Sequence, residues 1–231
     1  MPIHHLPEEM LLDHAAGSLP EPVALVVATH LALCPACRAA DARLEAVGGA
    51  LLEEIDPEPM VGGGVDALFA RIEATPETAN AATSESPAAA ETSAAIAAPA
   101  SSGNTPTLPR PLRDYVANGI EALNWRRRGA LSEARLFQRA RGGTVKLLRI
   151  RAGAMMPTHT HRSSELTLVL DGGFSDERGH YLRGDVSVAD EQVTHRPRAD
   201  DDGDCLCLTV SETPVWLTGP LSRLLNPFLR N

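Results

Sequence analysis

The chain has 231 residues, which allows one large domain or two smaller ones, and its formal net charge is −9. The charge is uneven, because residues 1–73 hold twelve acidic and three basic residues whereas residues 110–231 hold eighteen basic and fifteen acidic ones. Such an acidic front half is repelled by the nucleic-acid backbone and favours a basic partner, although solubility alone also accounts for it. We therefore expect no direct binding to nucleic acid.

The first residues lack the features of a signal peptide. They include His4, His5, Glu8 and Glu9 where a basic flank and an apolar segment would stand. No apolar run approaches the roughly twenty residues that span a bilayer. We expect a cytoplasmic protein without a membrane segment. Its four cysteines would be reduced there, so metal binding or redox chemistry explains their spacing better than disulfide bonds do.

Residues 74–109 have the composition of a flexible linker. They are nearly all Ala, Ser, Thr, Pro, Glu and Asn, and Ile96 and Leu108 are the only large apolar side chains. A segment of this kind buries too little surface to offset its ordering entropy. The sequence therefore predicts a helical domain at residues 1–73 and a second domain at residues 110–231.

Helix signals fill the first domain. We predict a helix from Glu8 to Ala16, an almost wholly apolar helix from Pro22 to Leu33, and a third that begins at Pro35. The third helix has an apolar stripe at helical spacing, made of Ala40, Leu44, Val47, Leu51 and Ile55.

A fourth, nine-residue helix is predicted at Val65 to Glu73. It is too short to be stable alone, and Leu68, Phe69 and Ile72 line one of its faces. Those three side chains are candidate partner-binding residues, and docking on the domain itself is an equal alternative.

The motif His30-x3-Cys34-x2-Cys37 has the spacing of a metal site. Pro35 disfavours helical geometry at Cys34, so the motif spans the turn between two helices and gathers three ligands that suit tetrahedral zinc. His4, His5 and His14 are the candidates for a fourth ligand. A thioredoxin-like redox pair is the alternative, but that motif follows a strand and no strand is predicted before Cys34.

These residues resemble the zinc-binding anti-sigma factors, and the ChrR branch in particular. The opening HisHis, LeuLeu, AlaAlaGly and ValValAlaThrHisLeu segments are similar to that branch. The resemblance implies that His5 is the remote zinc ligand, with His4 as the second choice. It also implies a four-helix domain that binds an extracytoplasmic-function sigma factor in a 1:1 complex.

The second domain reads as all-β, because short apolar or alternating runs are separated by Gly and Asp turns from Leu136 onward. It contains Gly153-x5-His159-x-His161-x3-Glu165-x6-Gly172, and later Gly184-Asp185-Val186 through His195. His159 and His161 point to the same face of a strand, so Glu165 and His195 can face them across a barrel interior. This set resembles the cupin superfamily, although the second segment lacks the usual later Asn and one spacing Gly.

We predict a second metal ion in this domain, bound by His159, His161, Glu165 and His195. The donor set suits zinc, manganese, iron or nickel, and the resemblance to ChrR-type proteins favours zinc. Cys205 and Cys207 share a strand face. They are either plain buried side chains or oxidisable sensors near the metal. The acidic run at 200–204 indicates a solvated turn, and ArgArgArg at 126–128 an exposed edge.

The predicted fold is α + β in two domains, a four-helix zinc-binding anti-sigma domain followed by an all-β cupin, or jelly-roll, barrel. The predicted function is that of an anti-sigma factor that releases its sigma factor on an oxidative signal, such as singlet oxygen, sensed through the cupin. The alternative is a metal-dependent cupin enzyme of the dioxygenase or isomerase type. We favour a regulator, because no catalytic acid and base pair is evident beside the predicted ligands.

Overall fold

The computed structural model describes residues 1–58, 64–74 and 107–218. Most of the predicted linker, residues 75–106 with Ile96, lies outside the described residues. Contacts divide the chain into one unit of Met1–Ala50 with Thr105–Asn231 and a second unit of Leu51–Asn104. The boundaries at 73 and 110 stay a prediction, but the first helices and the barrel belong to one compact unit.

Five α-helices and two 3-10 helices, Asp114–Val116 and Ile120–Ala122, occur in the described part of the chain. The four predicted in the first domain are present, and a short fifth precedes the barrel; they are α1 (Glu8–Ala15), α2 (Glu21–Leu33), α3 (Pro35–Glu53), α4 (Gly64–Ala74) and α5 (Arg110–Arg113). Helix α2 ends at Cys34, whose backbone is extended at φ −113° and ψ 101°, as expected for a residue before proline. The chain therefore turns by 118° between α2 and α3.

Twelve strands follow in the described residues and confirm the all-β prediction. They are β1 (Arg126–Arg128), β2 (Leu131–Arg139), β3 (Gly143–Ile150), β4 (His159–Thr160), β5 (Glu165–Asp171), β6 (Gly173–Asp176), β7 (Gly179–Leu182), β8 (Val186–Ala189), β9 (Thr194–His195), β10 (Arg198–Ala199), β11 (Cys205–Ser211) and β12 (Trp216–Leu217). They form a six-stranded sheet, β1-β2-β3-β11-β5-β8, and two three-stranded sheets, β10-β6-β7 and β12-β4-β9. All of the strand pairs are antiparallel.

The central strands of the large sheet are buried on both faces. On β11, Cys205 and Cys207 pack in the barrel interior, whereas Leu206, Leu208 and Val210 join a separate apolar cluster on the other face. Alternation along a strand produces this division. Residues of α2 complete the outer cluster, namely Leu25, Val26, Val27 and Leu31. Helix α2 therefore covers the sheet, which explains why its sequence is apolar all round.

The apolar stripe of α3 changes character along the helix. Ala40 and Leu44 pack against the outer cluster, whereas Val47, Leu51 and Ile55 are 59%, 60% and 65% exposed. Only part of the stripe therefore contributes to a core in the described structure.

Helix α4 has no buried residue, and the predicted face of Leu68, Phe69 and Ile72 is 52–59% exposed. Among the described helices, none is by itself long and apolar enough to cross a bilayer, although α2 and α3 pass that test together across their bend.

Candidate metal centres

Two groups of potential metal ligands lie in the described residues, and both were indicated by the sequence. The first, which we call the helical metal site, consists of His5, His30, Cys34 and Cys37. His30 lies in the last turn of α2, Cys34 at the bend and Cys37 in the first turn of α3, while His5 precedes α1. The proline-induced bend thus brings three of the ligands together.

The separations in the helical metal site fit a tetrahedral ion. His5 Nδ1 lies 3.3 Å from Cys34 Sγ and 3.5 Å from Cys37 Sγ. Those values are close to the edges of about 3.4–3.8 Å in a zinc tetrahedron with two sulfur and two nitrogen ligands. His30 Nε2 is buried and has no hydrogen-bond partner among the described residues, as expected for an atom meant to bind a cation.

Burial affects the protonation of these ligands. It lowers the pKa of His30, which favours the neutral imidazole that metals bind. It also raises the pKa of the Cys37 thiol to about 11. A divalent cation would reverse that second effect by stabilising the thiolate.

The other two candidate histidines are occupied elsewhere. His4 stacks on Tyr181 with ring centroids 4.3 Å apart, and its Nε2 lies 3.1 Å from the carbonyl oxygen of His180. His14 Nδ1 contacts Asp41 Oδ1 at 2.9 Å. The geometry therefore groups His5, and neither His4 nor His14, with the three motif ligands.

The second group, the barrel metal site, consists of His159, His161 and His195. His159 on β4 pairs in register with His195 on β9. Their Nε2 atoms are 3.0 Å apart, and His161 Nε2 lies 3.1 Å from His195 Nε2. Three buried imidazoles converge on one point, a donor set that suits a divalent transition metal.

Hydrogen bonds orient two of these rings. His159 Nδ1 donates to the Pro157 carbonyl at 2.8 Å, and His195 Nδ1 donates to the buried Asp176 Oδ2 at 2.8 Å. Each bond leaves Nε2 free for a metal, as in other histidine metal sites. Burial, with the neighbouring His159 and His195, lowers the pKa of His161 to about 4.

Glu165 lines the same cavity as His159 and His195, but its carboxylate is outside the group of mutually close ligand atoms. Its Oε2 lies 3.8 Å from His161 Nδ1, and Thr167 Oγ1 donates to its Oε1 at 3.4 Å. Burial raises the pKa of Glu165 to about 7. Its role as a fourth ligand therefore stays a prediction.

The barrel encloses a cavity of about 180 Å³ beside this site. Cys207 lines it, and Cys205 lies 3.5 Å away, sulfur to sulfur. Both cysteines are buried, and the Cys205 thiol together with burial raises the pKa of Cys207 well above its usual value. The Cys207 thiol is therefore neutral at neutral pH.

The remaining charged motifs have structural roles. In the acidic run, Asp204 accepts the amide hydrogen of Ala152, and Asp200 pairs with His180, which fits the predicted turn. The three arginines 126–128 form the exposed edge strand β1, as expected. Asp176 was not predicted as a partner of His195, since nothing in the spacing of the two residues in the sequence marks the pair.

A helical site with two cysteines, packed on a barrel with three converging histidines, defines a cupin protein with an appended metal-binding helical region. Residues 116–214 match the family described as ChrR Cupin-like domain. The chain is 35% identical over 227 residues to the anti-sigma-E factor ChrR of Cereibacter sphaeroides, which covers 98% of each protein. A chain in the crystal structure of Rhodobacter sphaeroides SigE in complex with the anti-sigma ChrR matches with a TM-score of 0.71 and 34% identity, over 91% of this chain and 99% of that one. The chain therefore belongs to the ChrR family of anti-sigma factors.

Proposed function

We propose that this anti-sigma factor sequesters an extracytoplasmic-function sigma factor in a 1:1 cytoplasmic complex and releases it on an oxidative signal such as singlet oxygen. The observation that carries the proposal is the similarity over nearly the whole chain to ChrR, a relative whose structure was solved in complex with SigE. Membership in this family makes the chain a regulator and not an enzyme.

The helical metal site supports this function by organising the helices that would present the docking surface. Two thiolates and two imidazoles balance a divalent charge and close the coordination shell, so we assign zinc to this site. A structural ion of this kind contributes folding free energy directly. The binding energy for the partner is then not spent on ordering α2 and α3.

Exposed apolar side chains indicate where the sigma factor docks. Six apolar side chains are more than half exposed, namely Leu51 and Leu52 in the last turn of α3, Ile55 just after it, and the α4 face of Leu68, Phe69 and Ile72. Together with the exposed Val65, the α4 residues have the i, i+3, i+4 and i+7 spacing that is typical of a helix that inserts into a groove of its partner. The acidic first 73 residues complement a basic partner.

We assign the sensing step to the barrel, and zinc to its metal site. His159, His195 and the predicted ligand Glu165 line a cavity of the barrel that a small oxidant could enter. The chain would use this site for signal reception, since the predicted ligand Glu165 is the first residue of β5, a strand of the sheet that α2 covers.

Copurification with the sigma factor tests the proposal. We expect the tagged full chain to retain an extracytoplasmic-function sigma factor of the same genome at a 1:1 ratio and to release it after photosensitised singlet oxygen. The double variant His159→Ala/His161→Ala should retain the sigma factor but fail to release it. Normal release by that variant would refute the sensing role of the barrel, and no retention by the unaltered chain would refute the function itself.

A further inference from the structure

The residues before His5 are held by a turn of the barrel. Asp185, in the turn between β7 and β8, accepts the amide hydrogens of Ile3 at 2.7 Å and His4 at 3.0 Å through Oδ1. Its Oδ2 accepts the amide hydrogen of Leu182 at 2.8 Å. Asp185 is only 2% exposed, so these bonds to a charged acceptor are shielded from water and strong.

The same turn contacts a second ligand of the helical metal site. The carbonyl oxygen of Gly184 accepts the Nδ1 hydrogen of the fully buried His30 at 2.8 Å. That bond fixes the tautomer and the ring orientation, and it leaves Nε2 as the ligating atom. Residues 154 positions apart in the sequence are thus joined at the metal site.

The turn also fits tightly against the helical region. Gly184 has φ +92°, and a Cβ atom at this position would lie 2.7 Å from Pro2 Cγ and 3.4 Å from Leu33 Cβ. Further along the turn, the amide of Val186 donates to the His4 carbonyl at 3.2 Å. Only glycine therefore allows the chain before His5 and the end of α2 to approach the turn this closely.

We propose that the barrel turn Leu182–Val186 is a positioning element for the helical metal site, with Asp185 placing His5 and Gly184 orienting His30. Two of the four ligands, His5 and His30, then belong to the helical region but are positioned by residues of the barrel. Because linkage is reciprocal, metal binding at the helical site also stabilises this turn of the barrel. The turn would provide a route from the barrel to the helices during release, and this last consequence alone rests on the proposed function.

A substitution pair at Ile3 tests the proposal without altering the barrel. The Ile3 side chain is 72% exposed, so Ile3→Ala keeps the amide and loses little, whereas Ile3→Pro removes the hydrogen that Asp185 accepts. The full-length protein is titrated with Co²⁺ in competition with a chelator, and the thiolate-to-cobalt absorption reports Cys34 and Cys37. We expect about tenfold weaker cobalt binding for Ile3→Pro, in the range of outer-shell substitutions, and unchanged binding for Ile3→Ala.

A glycine pair tests the turn itself. Gly184→Ala meets Pro2, whereas Gly119→Ala has a similar φ of +81° and no atom within 4 Å of the added Cβ. Both variants carry the strain of a side chain at positive φ, but only Gly184→Ala should weaken cobalt binding at the helical site and alter its absorption spectrum. If Gly184→Ala fails to fold, the Ile3 pair decides alone.

Wild-type cobalt affinity in Ile3→Pro would overturn the proposal. Equal weakening in Ile3→Pro and Ile3→Ala would also overturn it, because the effect would not come from the amide. No sigma factor is present in either titration, so failure here is distinguishable from failure of the proposed function.

Discussion

For three of the histidine ligands, a hydrogen bond to the non-ligating nitrogen determines which nitrogen faces a metal. His30, His159 and His195 all place Nδ1 against an oxygen acceptor, two of them backbone carbonyls and one the Asp176 carboxylate. Local spacing in the sequence indicated His30, Cys34, Cys37, His159 and His161, because i, i+2 and i, i+3 or i+4 spacings determine which side chains lie close together. His5 was implied only by the family resemblance. The acceptors were not predictable, since they come from distant parts of the chain and depend on the tertiary fold.

A substitution at Asp176 tests whether its carboxylate orients the His195 ring for metal binding. Its Oδ1 accepts the amides of Arg178 and Gly179, and only Oδ2 serves His195. Asp176→Asn keeps the Oδ1 bonds but replaces Oδ2 by a donor, which favours the His195 tautomer with its proton on Nε2 and so blocks ligation. We expect 10- to 100-fold weaker metal binding at the barrel site, measured by chelator competition on the full-length protein.

Glu177→Gln is the matched control, because Glu177 accepts the amide hydrogen of Arg196 and forms no hydrogen bond with a ligand among the described residues. The substitution removes a charge that acts on His159 but alters no ligand tautomer. The helical metal site should keep its affinity in both variants. Unchanged barrel affinity in Asp176→Asn would show that the carboxylate does not orient His195.

Helix α2 carries the metal ligand His30 and also covers the large sheet, and its sequence indicated only part of this. The apolar run Val23–Val27 predicted burial, and the structure identifies the buried surface as the outer face of the β3-β11-β5 sheet. The helix boundaries were predicted to within one residue, since Pro22 and Pro35 mark them. The surface that α2 covers could not be predicted. An apolar run in a sequence is equally compatible with a buried helix and with a strand that is buried on both faces.

Leu208 belongs to the apolar cluster that α2 and the sheet share and is fully buried. Leu208→Ala leaves a cavity there, so we expect the free energy of unfolding to fall by about 2–5 kcal/mol in urea denaturation followed by circular dichroism. Leu12→Ala, at a position that is 54% exposed, is the control and should cost far less. A small loss for Leu208→Ala would mean that α2 and the sheet do not share one core.

Helix α4 provides a prediction on partner binding. Phe69 is 57% exposed, so Phe69→Ala removes little folding energy but deletes a candidate aromatic anchor. We expect sigma-factor affinity to fall by about 2 kcal/mol or more in calorimetry, with unchanged metal content and melting temperature. Asp66→Glu, which keeps the charge on another face of α4, should bind normally. A destabilised but binding-competent Phe69→Ala protein would indicate docking within the chain instead.

At the scale of the whole molecule, composition predicted two domains joined by a linker, and the two fold types were correct. The packing of the first helices against the barrel was not foreseen, because the alternating runs of β3, β5 and β11 do not reveal what lies on their outer faces. If the two domains were independent, removal of residues 110–231 would be a suitable test of their separate roles. In this structure, that truncation would expose the apolar face of α2. Point variants in the full-length protein therefore separate the two metal sites more cleanly than truncation does.

Transcription in vitro tests the central claim, that a metal-organised helical surface sequesters the sigma factor. Core RNA polymerase with an extracytoplasmic-function sigma factor of the same genome is assayed with equimolar full-length protein. We expect the unaltered chain and the Cys205→Ala/Cys207→Ala variant to inhibit transcription, and the Cys34→Ala/Cys37→Ala variant to lose inhibition. Full inhibition by Cys34→Ala/Cys37→Ala would contradict the account.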